Sequence, residues 1–164
     1  GGGGAILTDD EALADYAKHI TTTAKVPHRW EFEHDEVAFN YRLPNINAAL
    51  GCAQLEKMPE FIEQKRALTA LYEELVAPLE GVTLFKEPAN SFSNYWLQTL
   101  ILDDTLVRDD VLAFLNDHGV MSRPIWTPLH KLKPYRDCPR ADLSTIERLN
   151  KKIINIPSTP IKEG

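Results

Sequence analysis

Apolar positions recur at two different periods along this chain, and the change of period marks a change of architecture. Over residues 9–20, Leu13, Tyr16, Ala17 and Ile20 fall three and four apart, the spacing of one helix face. Thr8 followed by Glu11 has the form of a capping box, so this helix is expected to start at Asp9. The apolar run 5–7 before it reads as a short buried strand. A longer helical pattern covers 45–57 and resumes over 59–78, with Leu50, Leu55, Phe61, Ile62, Leu68, Leu71, Tyr72 and Leu75 as its buried stripe. Pro59 has no amide proton and crowds the preceding turn, which predicts a kink or a new helix with proline at its first position.

Beyond Gly81 the pattern shortens to that of strands. Residues 82–85 and 95–102 read as strands, the second long enough to lie in the middle of a sheet. Residues 108–118 form an amphipathic helix closed by Gly119 in a C-cap position. A strand over 120–126 is interrupted by Pro124, 127–139 is a proline-broken loop, 143–152 is a last helix and 153–156 a last strand. The order is that of an α+β region from Gly81 onward, preceded by a region of long helix.

Between the first two helices, residues 21–43 show no sustained period but carry much chemistry: Lys25, His28, Arg29, Glu31, Glu33, His34, Asp35 and Glu36. A loop of this length inside a compact domain is usually functional or disordered, and Trp30, Phe32, Phe39 and Tyr41 argue against disorder. Its end is the most informative junction in the chain. Hydrogen-bonding residues (Asn40, Tyr41, Arg42) precede Pro44, and the small and apolar residues 46–51 follow it, interrupted by Asn47. Unpaired amides and the positive end of a helix dipole converge at such a point, which suits it to an anion.

Composition narrows the class. The 164 residues are 43% hydrophobic and 26% charged, as in a soluble globular protein large enough for a real core. A net charge of −6 and a pI near 5.4 argue against a nucleic-acid surface. Cys52 and Cys138 have no metal or disulfide spacing. No apolar run approaches the ~20 residues of a membrane span, so a soluble, cytoplasmic protein is expected. The opening run of four glycines lacks dinucleotide-binding spacing, and it reads equally as a tag remnant or as a start inside a domain.

The candidate side chains do not by themselves name a reaction. His28, His34 and His130 suit acid–base or phosphate contacts, yet histidines in polar loops are commonly surface residues. Lys25, Arg29 and Arg42 suit a phosphate, or equally salt bridges to the acidic run from Glu31 to Glu36. There is no nucleophile elbow, no phosphate-loop lysine and no cluster with metal-ligand spacing.

Longer segments carry a resemblance. The opening Gly1 to Thr8, the His34-Asp35-Glu36 triplet, the run from Phe39 to Ala49, the run from Ser122 to His130, and Ile156-Pro157-Ser158 are together similar to the DegT/DnrJ/EryC1/StrS sugar aminotransferases, and most to the nucleotide-sugar 4-aminotransferases. The resemblance implies an α/β fold, the C-terminal portion of a fold-type I pyridoxal-phosphate transferase. Residues 1–44 would belong to the large cofactor domain and its active-site loop, 45–80 to a long kinked connecting helix, and 81–164 to a small α+β domain with a mainly antiparallel sheet. It further implies pyridoxal 5'-phosphate as cofactor, an amino-acid donor such as glutamate, a 4-keto nucleotide sugar as acceptor in surface-glycan synthesis, and a homodimer.

By the same resemblance, Asn40 matches the family asparagine that contacts the cofactor phosphate of the neighbouring subunit, and Arg42 supports that loop or approaches the same phosphate. Ala38 and Phe39 stand where the family motif has Gly and Tyr. His130, Trp126 and Arg123 would face the sugar or cofactor, with His34 a further candidate for substrate. The Schiff-base lysine would lie upstream of the glycine run, so no residue of this chain is assigned a catalytic role, and the chain alone is expected to be inactive. A non-catalytic binding or regulatory module that keeps the fold is the alternative.

Overall fold

A computed structural model describes residues 2–104 and 106–160. The chain divides into two compact units, 1–58 and 59–164.

In the first unit, α1 (Glu11–Thr21) begins two residues later than its sequence signal suggests. The cap is Asp10, whose carboxylate accepts the Leu13 amide at 3.0 Å, while the Thr8 hydroxyl accepts the Asp10 amide at 3.1 Å. Thr8 and Glu11 therefore do not form the expected capping box: a carboxylate one residue before the helix competes better for the first-turn amides. Residues 5–7 are not a strand. Ile6 and Leu7 are exposed, because an apolar run becomes a strand only where another strand pairs with it, and none does so among the described residues.

After α1 the chain reverses through Thr23 and Ala24, which adopt left-handed φ values of 76° and 47°. Ala24 is fully buried. The returning segment pairs with this turn through the Thr22 to Asn40 and Lys25 to His34 bridges. Helix α2 (Asn45–Glu56) follows, with Pro44 at its cap and no side chain closing its first turn. It buries no residue, and Leu50 and Leu55 are exposed, contrary to the stripe expected of them. Helical spacing shows that a face is apolar, and leaves open what covers it.

In the second unit, α3 (Met58–Val76) carries Pro59 in its first turn, so the proline starts a new helix as expected. Of the expected stripe on α3, Leu68 is buried and Ile62 and Tyr72 are half-buried, whereas Phe61, Leu71 and Leu75 are exposed. Strands β1 (Val82–Leu84), β2 (Gln98–Leu102), β3 (Arg123–Pro124) and β4 (Ile153–Ile156) form one antiparallel sheet in the order β1-β2-β4-β3. The long strand β2 is interior, as its length suggested. Helix α4 (Arg108–Asp117) ends at Gly119 with φ 80°, and α5 (Ser144–Asn150) leads into β4. Two single 3-10 turns, Leu129–Lys131 and Lys133–Tyr135, occupy the proline-broken loop.

Alternation along the sheet divides it into two faces. Leu84, Leu100, Leu102, Ile154 and Ile156 point to one side, where with Val76 of α3 they form the core, and Tyr72, Val111, Leu112 and Leu115 pack against it. A buried polar pair ties α3 to this face: the Gln98 amide donates to Thr69 Oγ1 at 2.8 Å. The connection between β1 and β2 is pinned from α3 by Arg66, which meets both Glu87 oxygens at 2.5 and 3.0 Å and donates to the Ser93 carbonyl at 2.9 Å. This bidentate contact, together with the Ser93 amide, holds the Glu87 carboxyl down at about 2.

Candidate functional site

Three of the six residues singled out from the sequence meet around one turn. Thr22 and Thr23 end α1, and the left-handed φ at Thr23 and Ala24 turns their carbonyls toward the returning chain. His34 Nδ1 lies 2.7 Å from the Thr23 carbonyl, and Arg42 Nη2 donates to the Thr22 carbonyl at 3.0 Å. The other arm of Arg42 donates to Asn40 Oδ1 at 3.1 Å. With its oxygen engaged, the Asn40 amide is oriented so that its NH2 group is the part left to meet a ligand. Main-chain bonds fix the same segment: Phe39 N to Ile20 O at 2.9 Å and Tyr41 N to Thr21 O at 2.8 Å. Phe39 and Tyr41 stack with ring centroids 5.3 Å apart.

Two carboxylates of the acidic run, Asp35 and Glu36, are held from α1. The Tyr16 hydroxyl donates to Glu36 at 2.7 Å, which raises the tyrosine pKa, and His19 meets Asp35 at 2.6 Å. His28 lies 3.8 Å from Glu31. Lys25 sits over the Phe32 ring at 3.9 Å and Arg29 over Trp30 at 5.7 Å, so the expected salt bridges from Lys25, Arg29 and Arg42 do not form among the described residues. Aromatic faces take Lys25 and Arg29, while the Thr22 carbonyl and the Asn40 amide oxygen take Arg42. Also within this unit is a cleft of about 830 Å³ lined by residues 2–8, one side of α1 and residues 41–44.

Asn40 and Arg42 are both exposed and immediately precede α2, whose first turn has no acidic residue. The donors here are N–H groups, with the positive end of a 12-residue helix behind them. This set fits a phosphate. It does not fit a metal, and no group of three or more His, Cys, Asp or Glu side chains gathers among the described residues.

The other three residues lie in the second unit. Arg123 opens β3 opposite Asn155. Trp126 follows β3, and its carbonyl accepts Asn150 Nδ2 at 3.1 Å. His130 sits on the first 3-10 turn, its side chain 14% exposed, with Nε2 2.9 Å from Glu147 Oε1 of α5. That hydrogen bond, with the nearby Lys131 charge, lowers the Glu147 pKa. A carboxylate at Nε2 calls for a proton on that nitrogen, so in the neutral ring Nδ1 is the acceptor. The polar hollow beside it is lined by His130, Arg140, Asp142, Ser144 and Glu147. Reading from sequence missed Glu147 and the Thr22 and Thr23 carbonyls, none of which has a local signal. It also missed Trp96, whose ring stacks on Trp126 at 6.1 Å.

The sequence matches the DegT/DnrJ/EryC1/StrS aminotransferase family over residues 1–162, and the chain belongs to that family. Its members are pyridoxal-phosphate-dependent aminotransferases. Among its relatives, EpsN of Bacillus subtilis (strain 168) is 38% identical over 129 residues, 79% of this chain and 33% of that protein. GDP-perosamine synthase of Escherichia coli O157:H7 is 32% identical over 160 residues, 98% of this chain and 43% of that protein. The solved structure of DesI, determined with its TDP-sugar product, superposes with a TM-score of 0.76 at 27% identity, over 92% of this chain and 39% of that one. The chain thus spans between a third and somewhat over two fifths of the length of these relatives.

No helix among the described residues is long and apolar enough to cross a membrane.

Proposed function

We propose that this chain is part of a cytoplasmic, homodimeric aminotransferase that moves an amino group from an amino acid, glutamate being the expected donor, to a 4-keto nucleotide sugar for surface-glycan synthesis. The observation that carries the proposal is the Asn40–Arg42 donor pair at the start of α2, in a chain that matches an aminotransferase family along almost its whole length. In this reading the Asn40 amide donates to a phosphate oxygen of pyridoxal phosphate bound in the partner subunit. Arg42 is a positioning residue that fixes the Asn40 carbonyl and contributes positive charge near the phosphate.

When bound, the cofactor supplies an electron sink for the carbon that loses a proton. His130 contributes the Nδ1 acceptor to a sugar hydroxyl, its orientation fixed by Glu147. Arg123, Trp126 and His34 are assigned to substrate contact. No residue of this chain is assigned the Schiff base, and the chain alone is expected to be inactive.

The deciding assay is amino transfer by the full-length protein with glutamate and a panel of 4-keto nucleotide sugars. Formation of the 4-amino sugar with matching 2-oxoglutarate supports the proposal, and its absence across the panel rejects it. Asn40→Ala in the same protein is expected to weaken cofactor binding at least tenfold, read from cofactor absorbance. Unchanged affinity together with unchanged turnover would remove the phosphate role.

A further inference from the structure

We infer that His19 and Asp35 are positioning residues for Asn40, their contact locking the turn from which the Asn40–Arg42 donor pair is suspended. The inference rests on the amino-transfer reading above and adds two residues to which that reading gives no role.

Thr23 and Ala24 hold left-handed φ values of 76° and 47°. A branched residue seldom adopts that backbone, which persists only where its surroundings over-determine it. Here a closed ring of three residues does so. The His19 carbonyl accepts the Ala24 amide at 2.8 Å, and the Ala24 carbonyl accepts the Asp35 amide at 3.3 Å. The Asp35 carboxylate meets His19 Nε2 at 2.6 Å and completes the ring. A carboxylate this close calls for a proton on Nε2, and a bond to a charged acceptor is stronger than one between neutral groups. Two of the three bonds are main-chain and would form with other residues in place. The third depends on the identities of His19 and Asp35.

The donor pair is built on this turn. The His19 carbonyl also accepts the Thr22 amide at 3.2 Å, and the Thr22 carbonyl in turn accepts Arg42 Nη2 at 3.0 Å. Arg42 then fixes Asn40 Oδ1 at 3.1 Å, while Thr22 and Asn40 pair directly as a bridge. A shift of His19 against Asp35 therefore passes through Thr22 to both members of the pair. A second contact joins the same helix to the same segment, from the Tyr16 hydroxyl to Glu36 at 2.7 Å. It lies outside the ring, one turn back along α1, and serves as an internal control.

The test is a double-mutant cycle in the full-length protein, with pyridoxal phosphate titrated into apoenzyme and followed by cofactor absorbance. His19→Ala and Asp35→Ala should each weaken cofactor affinity about three- to tenfold. His19→Gln, whose amide N–H reaches to the same place, should stay within about twofold of wild type. Added to Asn40→Ala, His19→Ala should change affinity by less than about twofold, because a residue that acts through Asn40 has nothing left to position. Tyr16→Phe should also stay within that range. Should His19→Ala fail to fold, Asp35→Asn, which keeps the size and an acceptor oxygen but not the charge, carries the same cycle. Unchanged affinity in His19→Ala, the same loss with and without Asn40, or an equal loss in Tyr16→Phe would each overturn the inference. The amino-transfer reading fails separately: there Asn40→Ala itself leaves cofactor affinity and turnover unchanged, whereas an effective Asn40→Ala beside a silent His19→Ala rejects the positioning role alone.

Discussion

The two units of this chain hold their shape by different means. In residues 59–164 the sheet buries five aliphatic side chains against α3 and α4, with Leu102 and Ile154 almost completely removed from water. In residues 1–58 the only buried residue among those described is Ala24, while Trp30, Phe32, Phe39, Tyr41 and Ile46 stand exposed. Order there comes from directional bonds: two carbonyls at the end of α1, each with a side chain donor, and a ladder of main-chain bonds around them. Burial of apolar area is strong and indifferent to direction, whereas hydrogen bonds each contribute a net ~0.5–1.5 kcal/mol and fix orientation. The first unit is thus built to aim side chains, the second to provide stability.

Four measurements test that division, beginning with the largest effect. Ile154→Ala should cost about 2–5 kcal/mol in urea denaturation, while amide exchange over residues 22–41 stays within error of wild type. Equal loss of protection in both regions would show a single cooperative block and break the comparison. Gly119→Ala places a side chain at φ 80°, where a Cβ meets no atom within 4 Å, so its cost is conformational alone. About 1–2 kcal/mol is expected from the same denaturation curve.

Thr23→Gly removes a branched residue from φ 76° and should stabilise the first unit by less than about 1 kcal/mol, read as slower amide exchange at Phe39 and Tyr41. A clear loss of protection would mean that the Thr23 side chain holds the turn. The smallest effect appears only in acid. The Glu87 pKa is lowered from 4.5 to about 2, so its contribution is complete above 4.5 and is lost as the pH falls through the range between those values. Wild type should therefore be more stable than Glu87→Gln by a constant margin above that window, and the margin should shrink below it. A margin that persists unchanged to pH 2 would rule out ionisation as its source.

Much of the second unit was legible in sequence because its signals are local. The alternation in β2, the period of α4 and the glycine at its end each lie within a dozen residues, and each element is found within a few residues of its expected place. Expectations failed where an element depends on something outside its own stretch. Residues 5–7 had the composition of a strand without a partner, and Leu50, Leu55 and Leu75 had the spacing of a core face without a cover. At the candidate site, Asn40 and Arg42 came from a family motif, and the structure adds that Arg42 engages Asn40 two residues before it and the Thr22 carbonyl 20 positions away. The pairing of His130 with Glu147 spans 17. Contacts at such separations have no periodicity to announce them. Trp96 was placed inside a strand because its composition suits one, and only the turn at Tyr95 reveals it as a loop residue.

The pairing around Thr22 also determines where this chain can change length. The Val26 amide donates to the Glu33 carbonyl at 2.9 Å, closing residues 27–32 into an exposed excursion whose ends are already tied. Residues inserted there would lengthen a tip without moving what lies behind it. From His34 to Arg42 the situation is opposite, since Thr23 meets His34 at one end and Thr22 meets Arg42 at the other. A single residue gained or lost between them would hand one carbonyl the wrong neighbour. The eight steps from His34 to Arg42 act as a ruler, and relatives that differ in length in this region should differ in the tip and keep the ruler.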